Sequence, residues 1–153
     1  MKKFILPMLA AMAVATPAMA NEARVEARGG VIWVGSASED TFGAAAGYDF
    51  DLGSNAFAGV EVSADKIGFS GSQVAFGATG RLGIKAGTGT RVYGTGSYAT
   101  KVCSVCGGQW NLGAGAEQSV SGPVYVKVEY RHFFKSDWVD NLDSVTAGVG
   151  VRF

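Results

Sequence analysis

Two cysteines, Cys103 and Cys106, are separated by two residues. This spacing suits thiol–disulfide exchange when the pair begins a helix in a βαβ unit, and it suits zinc when further ligands converge on the same point. Neither setting is indicated, because no βαβ pattern surrounds the pair and His132 would supply only a third ligand. The sequence favours a disulfide within one loop, as in an oxidising compartment, with no metal and no cofactor; metal binding and free thiols stay as alternatives.

The single histidine, His132, has the chemistry of a general base, and Ser136 follows it with a hydroxyl that could act as a nucleophile. A hydrolytic pair of this kind also needs a group that orients the imidazole. No glutamate is obviously placed to do so, and a polar ring at a boundary between apolar and aqueous regions accounts for the histidine equally well. The sequence therefore predicts no catalytic residue and no enzyme activity.

Three aspartates, Asp137, Asp140 and Asp143, flank Trp138 near the end of the sequence. Carboxylates at this density could hold a divalent cation and bridge it to lipid phosphate groups. Connecting segments are ordinarily polar and solvated. A solvated acidic loop without a metal is therefore the favoured interpretation.

The elements that must position these groups follow an alternating pattern after residue 20. Apolar side chains recur at every second position, which is the period of a β-strand. In the seventh segment, for example, Val124, Val126 and Val128 alternate with Lys127 and Glu129. Every charged residue within the segments lies on the face opposite the apolar side chains. The eight segments span 24–34, 41–52, 55–65, 73–85, 91–102, 109–120, 124–134 and 144–153.

The length and composition of the segments favour a membrane over a soluble sheet. A tilted strand needs about 9–11 residues to cross a bilayer, whereas soluble strands average about 5–6. The charged face is rich in glycine, which suits a narrow lumen, and aromatic residues collect towards segment ends as in an interfacial girdle. Because open sheet edges would leave amides unsatisfied in lipid, the strands must close. The sequence predicts an all-β fold, an eight-stranded antiparallel up-and-down transmembrane β-barrel. The aromatic residues concerned are Trp33, Phe42, Phe50, Trp110, Phe134 and Phe153.

Residues 1–20 have the composition of a cleaved secretory signal peptide. Lys2 and Lys3 precede an apolar stretch that is too short to span a membrane, and small residues lead to a cleavage point after Ala20. The remaining residues, 21–153, form one domain, the barrel. Removing the two lysines from 13 basic residues leaves 11, against 13 acidic ones, so no basic patch indicates a nucleic-acid partner.

The connections between segments alternate in length, and this predicts the orientation. Short turns lie at 53–54, 86–90 and 121–123, and longer loops lie at 35–40, 66–72, 103–108 and 135–143. In outer-membrane barrels the short turns are periplasmic and the longer loops external. An even number of strands then places both termini in the periplasm.

The charged face predicts a network of ion pairs across the lumen. An eight-stranded barrel is only wide enough inside for its own side chains, and buried charges must be paired. We therefore expect an occluded lumen, with a narrow ion pathway through the same residues as the alternative. The residues concerned are Glu61, Arg81, Glu117, Lys127, Glu129, Arg131 and Arg152.

Two stretches, Val128–Arg131 in the seventh segment and Asp143–Phe153 at the end, carry a resemblance to a known family. The sequence resembles the small outer-membrane β-barrels that include the opacity proteins and the OmpA-type transmembrane barrel. The resemblance implies a place in the Gram-negative outer membrane, with its lipids and lipopolysaccharide as neighbours. It also implies that Phe153, with apolar residues at alternate positions before it, is the signal read by the barrel-assembly machinery.

The resemblance implies three roles. We expect a non-enzymatic envelope protein that is structural or interacts at the cell surface. The first alternative is a porin-like channel for small solutes. The second is an enzyme that modifies lipid A, of the kind that uses a histidine with a closely following serine, although Ser136 follows His132 by four residues here and not by two. The sequence does not indicate an oligomeric state.

Overall fold

The computed structural model describes residues 21–68, 70–102, 107–136 and 140–153, so the predicted signal peptide lies outside the described residues. Within the described part, eight antiparallel strands follow one another around a barrel, and β1 pairs with β8 to close it. The predicted all-β, eight-stranded, up-and-down barrel is confirmed. No described helix is long and apolar enough to cross a bilayer. The strands are β1 Glu22–Val34, β2 Ala37–Leu52, β3 Ala56–Ile67, β4 Ala75–Lys85, β5 Thr90–Ala99, β6 Gln109–Ser121, β7 Val124–Phe133 and β8 Leu142–Arg152.

The two ends of the barrel differ in their connections. One end, which we call the turn end, holds the short connections 53–55, 86–89 and 122–123. It also holds both ends of the barrel chain, since Ala23 and Phe153 exchange two backbone hydrogen bonds of 2.9 Å. The opposite end, which we call the loop end, holds the connections between β3 and β4, β5 and β6, and β7 and β8.

Alternate residues face the lumen and the outside, as the period of two predicts. In β5, Tyr93, Thr95 and Ser97 are buried, whereas Val92 and Tyr98 are exposed. The exposed positions of the other strands carry valine, leucine, isoleucine and phenylalanine. The barrel is therefore apolar outside and polar inside, the reverse of a soluble sheet.

Glycines on the inner face make room for large side chains that cross the lumen. A Cβ atom on Gly150 would lie 2.5 Å from the ring of Tyr125, and one on Gly115 would lie 2.6 Å from the hydroxyl of Tyr93. Any larger residue at these positions would collide with a buried ring. The glycine-rich inner face is thus what lets so narrow a barrel hold aromatic and guanidinium groups.

The first connection is shorter than the sequence indicated. The prediction of a longer loop at 35–40 is wrong, because β2 already begins at Ala37 and only Gly35 and Ser36 join it to β1. Gly35 has a φ of 58°, a left-handed conformation that glycine adopts without strain. This glycine permits a two-residue turn, so the ladder continues to the tip of the hairpin.

The fifth strand ends earlier than predicted. β5 stops at Ala99, so the segment 91–102 is too long by three residues. The amide of Phe76 donates to the side-chain hydroxyl of Thr100 (2.9 Å), which replaces the next backbone acceptor of the ladder. Beyond this point Lys101 is exposed and does not lie on the inner face, and Val102 lines the mouth of the lumen.

Charged residues that were assigned to connections or to the terminus lie within strands. Glu22 belongs to β1, Glu39 and Asp40 to β2, Lys66 to β3 and Asp143 to β8. All five are near strand ends, since these strands continue past the apolar band. The outer face is consequently free of charge across its middle, but not at its margins.

Candidate functional site

Ionised side chains fill the barrel lumen and balance one another. Among the described residues, eight carboxylates and eight cations make ion pairs there, and their charges cancel. Buried charges are tolerated only when they are paired in this way. The carboxylates are those of Glu22, Glu26, Asp49, Asp51, Glu61, Asp65, Glu117 and Glu129, and the cations are Arg24, Arg28, Arg81, Lys85, Arg91, Lys127, Arg131 and Arg152.

Arg81 of β4 lies across the lumen between two carboxylates. Its guanidinium makes two hydrogen bonds to Asp49, of 2.9 and 2.7 Å, and two to Glu117, of 2.5 and 3.3 Å. The same group stacks over the rings of Phe57 and Tyr93, at 5.0 and 4.6 Å from their centroids. Planar, bidentate pairing of this kind fixes the group in one orientation.

Glu61 of β3 pairs with three arginines, as Asp49 of β2 also does. It receives Arg24 at 2.6 Å, Arg28 at 3.0 Å and Arg131 at 3.4 Å. Arg24 also lies 3.6 Å from Asp49 and thereby joins this cluster to Arg81. Apart from the Lys85–Asp51 pair at the turn end, the charges thus form one connected network.

On the side of β7, the network includes Lys127, Arg131 and two tyrosines. Lys127 lies 2.5 Å from Glu26 and 3.5 Å from Glu129, and Arg131 pairs with Glu129 as well. The hydroxyl of Tyr125 donates to Glu26 (2.8 Å). These tyrosine contacts, with that of Tyr93 to Glu129 at 2.9 Å, surround the carboxylates with donors.

The structure brings together all seven residues that the sequence singled out for the lumen. Glu117 pairs with Arg152 at 2.9 Å and with Arg81 at 2.5 Å. Arg131 pairs with both Glu61 and Glu129, and Lys127 lies 3.5 Å from Glu129. Sequence reasoning placed Arg24 and Asp49 on the correct face but did not include them in the network. It missed the aromatic residues that point into the lumen. These residues have odd numbers in β3, β5 and β7, as the inward charged residues of the same strands do. These aromatic residues are Phe57, Tyr93 and Tyr125.

The lumen has a cavity at each end, separated by this network. The cavity at the turn end has a volume of about 470 Å³ and is lined by Glu22, Lys85, Arg91 and Arg152 among others. The cavity at the loop end has a volume of about 90 Å³. Between them the side chains of the network are buried and paired with one another.

A second polar group lies on the outer face near the loop end. His132 of β7 lies directly opposite Asp143 of β8, and the imidazole Nδ1 is 2.8 Å from the carboxylate. Tyr130 donates to the same carboxylate (2.5 Å). The sequence indicates no glutamate to orient the histidine; the strand register provides an aspartate, Asp143. The hydroxyl of Ser136 is buried and has no hydrogen-bond partner, so it is not bonded to the histidine.

The predicted cysteine pair and the three aspartates belong to the part of the sequence around the loop end. Cys103, Cys106 and Asp137 lie outside the described residues, so the predicted disulfide stays a prediction. Asp140 pairs with Lys135 at 3.1 Å on the exposed surface, while Asp143, which lies in β8, pairs with His132. Among the described residues, no three potential ligands come together as a metal site.

Phe153 occupies the end of the last strand at the turn end. Its backbone is bonded to Ala23 of β1, and its side chain is 49% exposed on the outer face. That the barrel-assembly machinery recognises Phe153 stays a prediction.

Solved structures with the same architecture have different roles. The attachment invasion locus protein Ail of Yersinia pestis has a TM-score of 0.60 at 12% identity, covering 87% of this chain and 97% of that one. The neisserial surface protein NspA has a TM-score of 0.56 at 14% identity, with coverages of 87% and 97%. The outer membrane enzyme PagL has a TM-score of 0.57 at 13% identity, with coverages of 84% and 98%. Identities this low show the fold alone.

No curated protein sequence matches the chain. The family described as outer membrane protein beta-barrel domain matches residues 4–153, nearly the whole sequence. This match agrees with the apolar outer face, the closed sheet and the ion-paired lumen described above. The chain therefore belongs to the outer membrane protein β-barrel family and is a small transmembrane barrel of the Gram-negative outer membrane.

Proposed function

We propose that the protein is a non-enzymatic barrel with a structural or surface-interacting role in the cell envelope, and that its lumen conducts no solutes. The observation that carries this proposal is the connected, charge-balanced network that fills the middle of the lumen. A passing ion would have to displace bidentate guanidinium–carboxylate pairs that are already desolvated. Such pairs lose several kcal/mol when one partner is left unpaired.

We further propose that both termini lie in the periplasm and that the loop end faces outward. Both ends of the barrel chain lie at the turn end, and the longer connections lie at the other. Outer-membrane barrels orient their short turns towards the periplasm. The outer apolar face then meets lipid and lipopolysaccharide, and the loops are the surface available to external partners.

Purified protein in planar lipid bilayers is expected to show no stable conductance steps, because the network occludes the lumen. A double variant, Asp49→Ser with Arg81→Ser, removes a central pair without changing the net charge and should produce flickering conductance. The matched control, Asp51→Ser with Lys85→Ser, removes a pair at the turn end and should stay closed. Stable conductance of the unmodified protein would contradict the proposal and favour the channel.

The enzyme alternative has one observation in its favour, the His132–Asp143 pair on the outer face. The outer membrane enzyme PagL shares the fold. Against it, the residue two positions on is Phe134, and the hydroxyl of Ser136 has no hydrogen-bond partner among the described residues. Loss of acyl chains from lipopolysaccharide incubated with the protein, abolished by His132→Ala, would establish the enzyme.

The two remaining roles are separated by a deletion strain. A structural role leads us to expect increased sensitivity to detergent, restored by the protein in trans. A surface-interacting role leads us to expect unchanged detergent resistance with reduced adhesion to host cells or to neighbouring bacteria. If the deletion changes neither detergent sensitivity nor adhesion, the proposed envelope role has no support.

A further inference from the structure

The cavity at the loop end is lined differently from the rest of the lumen. It has a volume of about 90 Å³ and lies above the ion network. Part of its lining is apolar and is formed by Ile32, Ile67, Phe133 and Leu142 from four different strands. Another part, which we call the floor, is polar and includes Ser97 and Asn111. A pocket with apolar walls and a few convergent polar groups is the usual form of a small-molecule site.

Two polar side chains of this floor have no hydrogen-bond partner among the residues that the structure describes. Asn111 is 2% exposed, and neither its amide nitrogen nor its amide oxygen makes a hydrogen bond. Ser97 is also 2% exposed, and its hydroxyl is likewise unpartnered. The two residues lie directly opposite each other on β6 and β5, yet they do not bond to one another. Buried polar groups are ordinarily satisfied, so this floor is arranged for something that is not part of the chain.

We propose that the loop-end cavity is a binding site for a small neutral molecule with a hydrogen-bonding head and a short apolar tail. The head, an amide or an alcohol, donates to the Asn111 oxygen and accepts from its nitrogen and from the Ser97 hydroxyl. The tail lies against Ile32, Ile67 and Phe133. This site goes beyond the proposed envelope role. It lies on the loop-end side of the ion network, so it does not depend on whether the lumen conducts solutes.

The charges around the floor specify a neutral head. Arg28 is held by Asp65 at 2.6 Å and by Glu61 at 3.0 Å. Arg131 is held by Glu61 and Glu129. Because the lumen is already balanced, a charged ligand would bring an uncompensated charge into a desolvated site. A carboxylate or an ammonium ion should therefore bind much more weakly than an amide of the same length.

The size of the cavity limits the ligand. An enclosed cavity of about 150 Å³ holds a benzene molecule. The loop-end cavity is smaller, about 90 Å³, and therefore takes a head with a short chain and excludes a sugar or a peptide. For about six non-hydrogen atoms we expect a dissociation constant on the order of 1 mM.

The test uses butyramide as the probe, with the full barrel in lipid nanodiscs so that detergent does not compete. The side-chain amide signals of Asn111 are followed by nitrogen-15 NMR during titration. We expect a saturable shift of these signals. Butyrate and butylammonium, which have the same chain and a charged head, should bind at least tenfold more weakly.

Variants separate the floor from the rest of the lumen. Ser97→Ala is expected to weaken butyramide binding about threefold, and Asn111→Leu at least tenfold, as followed by backbone amide shifts of β5 and β6. Thr95→Val is the matched control, since Thr95 is also buried and unpartnered but does not line the cavity; it should bind within twofold of the unmodified protein. If Asn111→Leu fails to fold, Ser97→Ala against Thr95→Val decides the question.

Three results would overturn the proposal. The first is the absence of a saturable shift with butyramide, which would mean that ordered water alone satisfies the floor. The second is equal or tighter binding of butyrate. The third is an equal loss of binding in Thr95→Val and Ser97→Ala.

Discussion

Replacing Glu61 with leucine is expected to reduce the free energy of unfolding by about 3–5 kcal/mol. Glu61 is 4% exposed and receives Arg24, Arg28 and Arg131. Leucine would leave these guanidinium groups with fewer partners in a lumen where water does not replace the carboxylate. The penalty arises from the cations that stay behind and not from the loss of a single contact.

The measurement is urea-induced unfolding in lipid vesicles, followed by tryptophan fluorescence and by heat-modifiable migration in gels. The control is Asp51→Leu, which breaks the pair with Lys85 at the turn end, where the two side chains are 15% and 27% exposed. Water screens this pair, so its loss should cost at most about 1 kcal/mol. Similar losses in both variants would mean that the central network is not the stabilising core of the lumen.

Placing an arginine at Val62 is expected to destabilise the folded barrel by about 2–4 kcal/mol relative to the unfolded chain. Val62 lies midway along β3, is 64% exposed and pairs with Ala46 and Ala78 on the adjacent strands. At this depth the outer face meets hydrocarbon, and a guanidinium there has no partner. Folding into vesicles should be measurably less favourable and slower to reach completion.

Leu52→Arg provides the matched control for depth. Leu52 is also exposed, at 53%, but it is the last residue of β2 at the turn end. Near the interface the cost of an arginine falls to about 0–1 kcal/mol, because the side chain reaches water. Equal costs at the two positions would show that the outer face does not traverse a bilayer.

Much of the fold follows from where the charges fall in the sequence. Lys127 and Glu129 alternate with valines, and a charged group cannot face hydrocarbon, so the phase of β7 is determined by the sequence alone. The same reasoning gave every strand to within a few residues. The predicted strand ends were wrong where a local contact ended or extended the backbone pairing. The hydroxyl of Thr100 ends the pairing of β5, and the tight turn at Gly35 lets β2 begin earlier.

The sites were harder to predict, because they depend on the closure of the sheet and on strand register. Asp143 appeared to belong to a loop, and only the register of β7 with β8 places it opposite His132. The floor of the loop-end cavity joins Ser97 and Asn111, which are uncharged and gave no signal in an alternating pattern. The inward tyrosines were overlooked for a related reason: aromatic residues occur on both faces of a barrel.

The central claim is that one face of every strand meets lipid while every ionised group in the middle of a strand faces the lumen. Methyl NMR of the barrel in nanodiscs tests it directly, with a nitroxide attached deep in the lipid chains or a water-soluble paramagnetic chelate in the buffer. We predict that the lipid nitroxide broadens the methyl signals of Val62, Leu82 and Leu112 and that the chelate leaves them sharp. Broadening of these methyl groups by the chelate, with no effect of the lipid nitroxide, would contradict the account.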